Sequence, residues 1–419
     1  MNALSGDTSL FAEVDGNYGV YTLKELYELY NQGHKIKVPT LLNERGEKTW
    51  VEVEDIIRFG MQPLKRITLT SSQFFMEFSK DIIIPSFSDK FFYYGRKRRI
   101  NFKFQLANNL KITQDHGHND TLLLTTNIPL NIPEGDEKEW DYGFALGFFL
   151  AEGCLGYRER KNTKRSLETM TAFARKKGLS LEEYLNYMTE ARRVVLTIGP
   201  SDFERGHVDI IQKLFKFTKP YKHKRDKGYK LYSPDLSFIH LIKDYIDGST
   251  SHDKHVKNEV YNRSWKFLEG ILDGFLAGDG YFFKEEDLFQ VGITTNYRLY
   301  NDLIFFSKAL GYDIHLHKGH FHKSPSSNNY CYQLRLSIFK TYHRHTAFGL
   351  VKEHIKSIED AGLKEAFNLV LKPLYPENDT CSVFNHLFFT AFGFLVSDAV
   401  KVLDRSSLKS PLALPLLQK

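Results

Sequence analysis

Two segments of the chain end in an acid followed by glycine, Ala145 to Gly153 (ALGFFLAEG) and Leu272 to Gly280 (LDGFLAGDG). Aligned end to end they share Gly147 with Gly274, Phe148 with Phe275, and the pairs Glu152-Gly153 and Asp279-Gly280. Small residues recur four positions apart, at Gly147 and Ala151 and at Gly274 and Gly278, so each row lies on one helix face. Two such faces can approach backbone to backbone, bringing both terminal acids to one end of the pair. Carboxylates placed there meet the negative ends of two helix dipoles and repel each other. A hard divalent cation relieves that repulsion, and Mg²⁺ characteristically uses one or two carboxylates with waters and substrate phosphate oxygens. Glu152 and Asp279 are therefore the candidate metal ligands and catalytic acids of a phosphodiester hydrolase, with Mg²⁺ or Mn²⁺ as cofactor. Taken singly, either segment reads as a buried helix ended by a glycine cap. The matched pair favours the chemistry.

The elements that must position these acids are read from periodicity. Residues 1 to about 133 alternate in short segments (IKVPTLL, KTWVEVEDI, LKRITLTS, MEFSKDIIIPSF) broken by Gly, Asn, Asp and Pro, which predicts a β-rich unit. NIPEGDEKEW, Asn131 to Trp140, marks a boundary. Beyond it come the helix DYGFALGFFLAEG, a helical stretch from Thr163 to Arg193, the strand VVLTIG, the helix HVDIIQKLFKF, the strand GYKLYS and the helix LSFIHLIKDYI. After the linker DGSTSHDKH the order restarts. The helix WKFLEGILDGFLAGDG leads into FQVGITT, NYRLYNDLIFFSKALGY, DIHLHKG and YQLRLSI, and a last helix is expected at GLVKEHIKSIEDAG. Both halves thus read as helix, strands, helix, strands, helix. From about Lys372 the β pattern returns in CSVFNHLFFTAFGFLVSD.

Lys and Arg number 57 against 51 Asp and Glu, a net charge of +6 that permits an anionic partner without demanding one. The basic residues cluster, however, with aromatics interleaved. RKRR (Arg96, Lys97, Arg98, Arg99), RERK (Arg158, Arg160, Lys161) and the run from Lys222 to Lys230 (with Lys224 and Arg225) are expected DNA contacts. Any one run alone is most simply a solvated face. Three cysteines, Cys154, Cys331 and Cys381, fit neither a disulfide framework nor a zinc ribbon, which predicts a reducing, intracellular setting in cytoplasm or nucleus. No apolar stretch has the length of a membrane span, so a soluble protein is expected.

The paired motifs resemble those of single-chain LAGLIDADG homing endonucleases, and Gly292 to Ile314 resembles the strand and helix that follow the second motif there. The resemblance covers about Tyr142 to Lys372. It implies that Glu152 and Asp279 are the metal-binding catalytic acids, Glu152 being a departure from the more usual Asp. It further implies that strands of each half enter the major groove of double-stranded DNA. Basic residues near the cleavage site would stabilise charge developing on phosphate. Lys230, in GYKLYS, is the leading candidate, and Lys254 resembles a lysine often found ahead of the second motif; plain surface lysines are the alternative. The counterpart of Lys230 falls near YQLRLSI, where Gln333 and Arg335 stand, Arg335 being a further expected DNA contact.

The chain ends resemble the splicing (Hint) domain of inteins. ALSGDTSLFAEVDG resembles an intein start with Ala3 in place of the nucleophile. KITQDHGH places Thr113 and His116 in the internal Thr-x-x-His motif, while Ser397, Asp398 and Ala399 occupy the C-terminal positions usually held by His, Asn and a nucleophile. Cys381 stands where some inteins keep an internal nucleophile. Splicing needs a first thiol or hydroxyl, a cyclising Asn and an acceptor, and three of those positions are wrong here.

The resulting expectation is a mixed α/β fold: a duplicated αββαββα LAGLIDADG nuclease domain inserted in an all-β Hint (intein) domain. The expected divisions are 1–135 (with a basic insertion near 88–104), 136–372 in two halves (about 136–247 and 254–372), 373–398, and a tail at 399–419. The basic insertion is expected to lengthen the DNA footprint. A monomer is expected, since both halves are covalently joined. Two rival readings are a catalytically inactive DNA-binding protein and an active autoprocessing intein.

Overall fold

The computed structural model describes residues 3–43, 46–70, 73–87, 103–110, 121–125, 127–157, 167–176, 178, 180–181, 191–222, 228–248, 251, 253–283, 288–291, 294, 296–317, 320–323, 330–339, 350–376, 385, 387–392 and 394–398.

Period-two patterning governs the first unit. Its strands are β1 (Leu4–Ser5), β2 (Ser9–Val14), β3 (Asn17–Thr22), β4 (Ile36–Leu41), β5 (Lys48–Leu69), β6 (Phe75–Phe78), β7 (Ile83–Phe87), β8 (Lys103–Leu106) and β9 (Thr121–Thr125). Among the described residues one α-helix, α1 (Leu23–Asn31), interrupts them where an all-β reading expects none. Its start is a capping box: Thr22 Oγ1 accepts from the Glu25 amide, and the Glu25 carboxylate accepts from the Thr22 amide.

The first repeat comprises α2 (Glu137–Glu152), β10 (Gly153–Tyr157), α3 (Leu167–Lys176), β11 (Ala191–Ile198), α4 (Pro200–Glu204), α5 (His207–Leu214), β12 (Tyr229–Ser233) and α6 (Leu236–Tyr245). A small hairpin, β13 (Ile246–Asp247) with β14 (His255–Val256), and a 3-10 turn (Asn258–Asn262) lead to the second repeat. That repeat comprises α7 (Trp265–Asp279), β15 (Gly280–Phe283), β16 (Leu288–Val291), α8 (Tyr297–Ala309), β17 (Asp313–Leu316), β18 (His320–Lys323), β19 (Tyr330–Gln333) and β20 (Leu336–Phe339). The antiparallel sheets β10-β11-β12 and β15-β16-β20-β17 each follow directly from one acid-ended helix.

Two expectations fail. The helix expected at GLVKEHIKSIEDAG is strand β21 (Leu350–Leu371), which pairs with β5 along nearly its whole length and with β9 at its start. Ile355 and Ile358, three apart, suit a helix, but Glu353 and Ile355 are buried where His354 and Lys356 are exposed, a register shift follows Ile355, and a 22-residue partner strand supplies the hydrogen bonds. Residues 350–371 therefore belong to the ten-stranded sheet, of order β3-β2-β4-β5-β6-β1-β21-β9-β7-β8, and not to a second-half helix. The described second repeat consequently lacks the final helix of the expected αββαββα pattern. In addition, Ala191 to Arg193, expected to close a helix, open strand β11. The last strands among the described residues form the hairpin β22 (Leu387–Phe389) and β23 (Leu395–Ser397).

One apolar core runs through both units: the Phe11 ring of β2 stands edge-on to Tyr261 of the 3-10 turn and to Phe305 of α8, with centroids 5.6 and 5.7 Å away. Beside it the linker turn covers the open edge of β3. Asn262 Oδ1 accepts from the Tyr18 amide at 2.7 Å, Asn262 Nδ2 donates to the Tyr18 carbonyl at 2.9 Å, and Asn258 Oδ1 accepts from the Val20 amide at 3.0 Å. These side-chain amides take the place of a neighbouring strand. No helix among the described residues is long and apolar enough to cross a membrane.

Candidate active site

The site begins with two helices that touch along their backbones. Each is stopped at its start by a side-chain cap, Asp136 accepting from the Glu139 amide and Ser264 from the Phe267 amide. The starts are tied together: Trp265 and Lys266 amides donate to the Pro133 and Glu134 carbonyls at 2.9 and 3.0 Å, Arg263 pairs with Glu139, and Trp140 Nε1 donates to Asp273 at 3.2 Å. Small residues make the contact. A Cβ on Gly143 or Gly147 would overlap the carbonyl oxygens of Phe267 and Ile271, and one on Gly270 or Gly274 those of Trp140 and Phe144. The rows are therefore one turn longer than Gly147-Ala151 and Gly274-Gly278 suggest, since Gly143 and Gly270 extend them.

Gly153 and Gly280 are not left-handed caps. Their φ angles are −99° and −97°, and the chain turns straight into β10 and β15. Glycine is needed there because a Cβ would strike the carbonyl oxygen of Phe149 or Leu276. The close turn sets Glu152 and Asp279 at the same end of the pair.

Both acids are half-buried, and their electrostatics follow from that position. Burial, with the charges of Asp279 and Asp202 adding to it, pushes the Glu152 carboxyl up to about 8, while Lys254 opposes. Burial pushes Asp279 up to about 6, again against Lys254. Asp202 was not anticipated from sequence, although Gly199-Pro200-Ser201-Asp202 has the form of a helix start. Its carboxylate accepts from the Gly199 amide at 2.7 Å and lies 3.4 Å from His207 Nδ1.

Lys254, expected at the scissile phosphate, has a different place. It is 1% exposed, and Nζ donates to the carbonyls of Phe149, Leu150 and Gly153 at 2.8, 2.7 and 2.7 Å. An ammonium has three protons, so all are committed to the end of α2. The buried cation caps the helix, opposes its dipole and sits near both acids. Burial lowers its pKa to about 8, opposed first by Asp279 and then by Cys154, Glu152 and Asp253.

Lys230 lies on β12 opposite Thr197 of β11. Val194, Leu196, Ile198 and Leu231 point into the core, so Lys230 shares the open sheet face with exposed Thr197 and Arg193, whose guanidinium stands 4.9 Å over the Tyr232 ring. Arg335 is half-buried beside β20, and its carbonyl accepts from the His317 amide and the Tyr300 hydroxyl. Arg96, Lys97, Arg98, Arg99, Arg158, Arg160, Lys161, Lys224 and Arg225 lie outside the described residues.

The positions singled out at the chain ends partly converge on β21. Ala3 is fully buried against Leu64 and Ala366, its amide donating to Ser79 Oγ at 3.0 Å. The Ser397 carbonyl accepts from Asn368 Nδ2 at 3.2 Å, and the fully buried Asp398 carboxylate accepts from the Leu371 amide at 3.2 Å. Thr113, His116, Cys381 and Ala399 lie outside the described residues.

No protein-family profile matches the chain, and no curated protein does. Among solved structures, variants of the homing endonuclease I-DmoI match at 13% identity and a TM-score of 0.29, over 49% of this chain and 91% of theirs. The N-terminal LAGLIDADG domain of DUF199/WhiA matches at 12% identity and 0.26, over 50% and 81%. An intein from a hyperthermophile matches at 22% identity and 0.23, over 30% of this chain and 73% of that one. These overlaps are too partial to assign the chain to either group.

Proposed function

We propose that the protein is a site-specific, metal-dependent DNA endonuclease acting as a monomer on a long, asymmetric double-stranded site. The observation that carries this reading is the helix pair that forces Glu152 and Asp279 together in a half-buried, proton-retaining site. The donor set suits Mg²⁺ or Mn²⁺: it is all oxygen, it holds two acids, and Lys254, the cation that acts on both acids, is already spent on helix carbonyls. Among the described residues no group of three or more His, Cys, Asp and Glu side chains is gathered to hold a metal ion, so the two acids would share it with waters and substrate phosphate oxygens. A bound divalent ion would lower the pKa of an attacking water and stabilise the leaving oxygen of a phosphodiester. Glu152 and Asp279 would hold it and orient substrate phosphates. The open face carrying Lys230, Thr197 and Arg193 would lie against DNA, with Lys230 near the phosphate.

The ten-stranded sheet is read as a Hint-like scaffold that does not splice, because Ala3 has no nucleophile and Asp398 stands where a cyclising Asn is required. An unchanged intact mass after thiol treatment is the expected result.

Cleavage of a plasmid library of random sites in Mg²⁺ or Mn²⁺ tests the nuclease. Glu152→Gln and Asp279→Asn should each lower double-strand cutting by at least about 10²-fold, the magnitude typical of removing a group that acts in the transition state. Full activity in both variants rules the site out; DNA binding without nicking in the unaltered chain would mark a binding protein instead.

A further inference from the structure

The Lys254–Val256 segment is held from two sides. On one side the Lys254 ammonium caps α2, the helix of the first half's acid. On the other, two side chains of α8, in the second half, grip its backbone. Asn296 Nδ2 donates to the Lys254 carbonyl at 2.5 Å, and the Asp302 carboxylate accepts from the Val256 amide at 3.0 Å. Both are buried, at 5% and 8% exposure. A buried carboxylate is expensive unless it is needed, and burial pushes Asp302 up to about 7. Helix α8 does not need Asp302 for its own start, because Asn296 Oδ1 already caps it by accepting from the Arg298 and Leu299 amides at 3.0 and 3.2 Å.

We propose that Asn296 and Asp302 are positioning residues that act across the two halves, fixing the Lys254 strap and, through it, the end of α2 that presents Glu152. Their effect on catalysis rests on the nuclease reading given above; the mechanical coupling does not. The reason for such a device is geometric. Helices α2 and α7 are tied together at their starts, but their acid ends are set by steep turns at Gly153 and Gly280 that leave backbone carbonyls without intrahelical partners. The strap places one cation on three carbonyls at the end of α2, of which Phe149 also accepts from the Gly153 amide, and its own backbone is clamped to the opposite half.

Three variants of the full chain separate this role from ordinary structural support. Asn296→Asp keeps an acceptor for the Arg298 and Leu299 amides, and Asp is a good helix cap, but it cannot donate to the Lys254 carbonyl. Asp302→Ala removes the acceptor for Val256, whereas Asp302→Asn keeps one. Hydrogen exchange, measured without metal, should be about tenfold faster in a peptide spanning residues 146–157 for Asn296→Asp and Asp302→Ala. Exchange in α8 should stay unchanged for Asn296→Asp, and Asp302→Asn should resemble the unaltered protein. With metal and a cleavable site, the two disrupting variants should lose roughly ten- to a hundred-fold in single-turnover rate at unchanged DNA affinity. Unaltered exchange at 146–157 in both disrupting variants overturns the proposal, as does acceleration spread evenly over α8. Should the unaltered chain cut no DNA, the nuclease reading fails while the exchange data still decide the coupling.

Discussion

At the residue scale the acid pair makes a pH-dependent prediction. Glu152 and Asp279 are raised to about 8 and about 6 in the folded protein, above ordinary carboxylates. The folded state therefore binds protons that the unfolded state has released. Stability contributed by this protonation is complete below pH 4 and is lost as pH rises through 6 and then 8. A divalent cation needs the deprotonated acids, so its binding should weaken by up to about tenfold per pH unit per carboxylate below those values. Thermal shift with Mg²⁺ or Mn²⁺ should accordingly be larger at pH 8.5 than at pH 5.5, and an equal shift at both pH values would refute the assignment of the acids as ligands. Lys254→Met tests the cap: it leaves the carbonyls of Phe149, Leu150 and Gly153 without their charged donor and should cost about 2–4 kcal/mol in urea unfolding. The acids were legible in sequence because type and spacing define them. Lys254 was legible as important but not in its part, since only coordinates reveal that its three protons are already used. Asn296 and Asp302 carried no such signal, because their partners are backbone atoms 42 and 46 residues away.

The helix pair is the element on which the site depends, and its tolerance for volume is small. A methyl group on Gly274 would overlap the Phe144 carbonyl oxygen, with no flexible side chain able to yield. Gly274→Ala should therefore force α2 and α7 apart, costing about 1–3 kcal/mol despite alanine's better helix propensity. Because separation of the helices displaces the acids, cleavage should fall more steeply than stability; equal melting temperatures and equal rates would show that the backbones need not touch. This packing was foreseeable, since residues four apart share a helix face whatever the surroundings. Strand β21 was not. Val351, Ile355 and Ile358 recur at helical spacing, and the decision against a helix was made by β5, nearly three hundred residues earlier, whose open edge needed a partner. Local periodicity has no access to such a partner, whereas the α1 capping box was written plainly in Thr22 and Glu25 and needed only to be weighed against its β-rich setting.

For the whole molecule, the question is whether the sheet unit and the duplicated repeats unfold as one body. Three features oppose independence: β21 returns from the second repeat into the middle of the sheet, Phe11 packs on Tyr261 and Phe305, and the linker turn seals the edge of β3. The seal is the easiest to break without disturbing either interior. Asn262 makes both bonds to Tyr18, and the same linker carries Lys254 eight residues earlier, so the contact that closes the sheet edge is close in sequence to the strap behind the acids. Asn262→Ala leaves the Tyr18 amide and carbonyl without these partners, at a cost of about 1–3 kcal/mol. Loss of so small an increment should not unfold the chain, but it should weaken the bond between units more than either unit. Calorimetry is expected to show one cooperative transition in the unaltered protein and a broadened or divided one in Asn262→Ala, with cleavage reduced although no residue near the acids has changed. A single sharp transition merely shifted to lower temperature, with the cleavage rate intact, would mean that the sheet is a passenger and that the nuclease half stands without it.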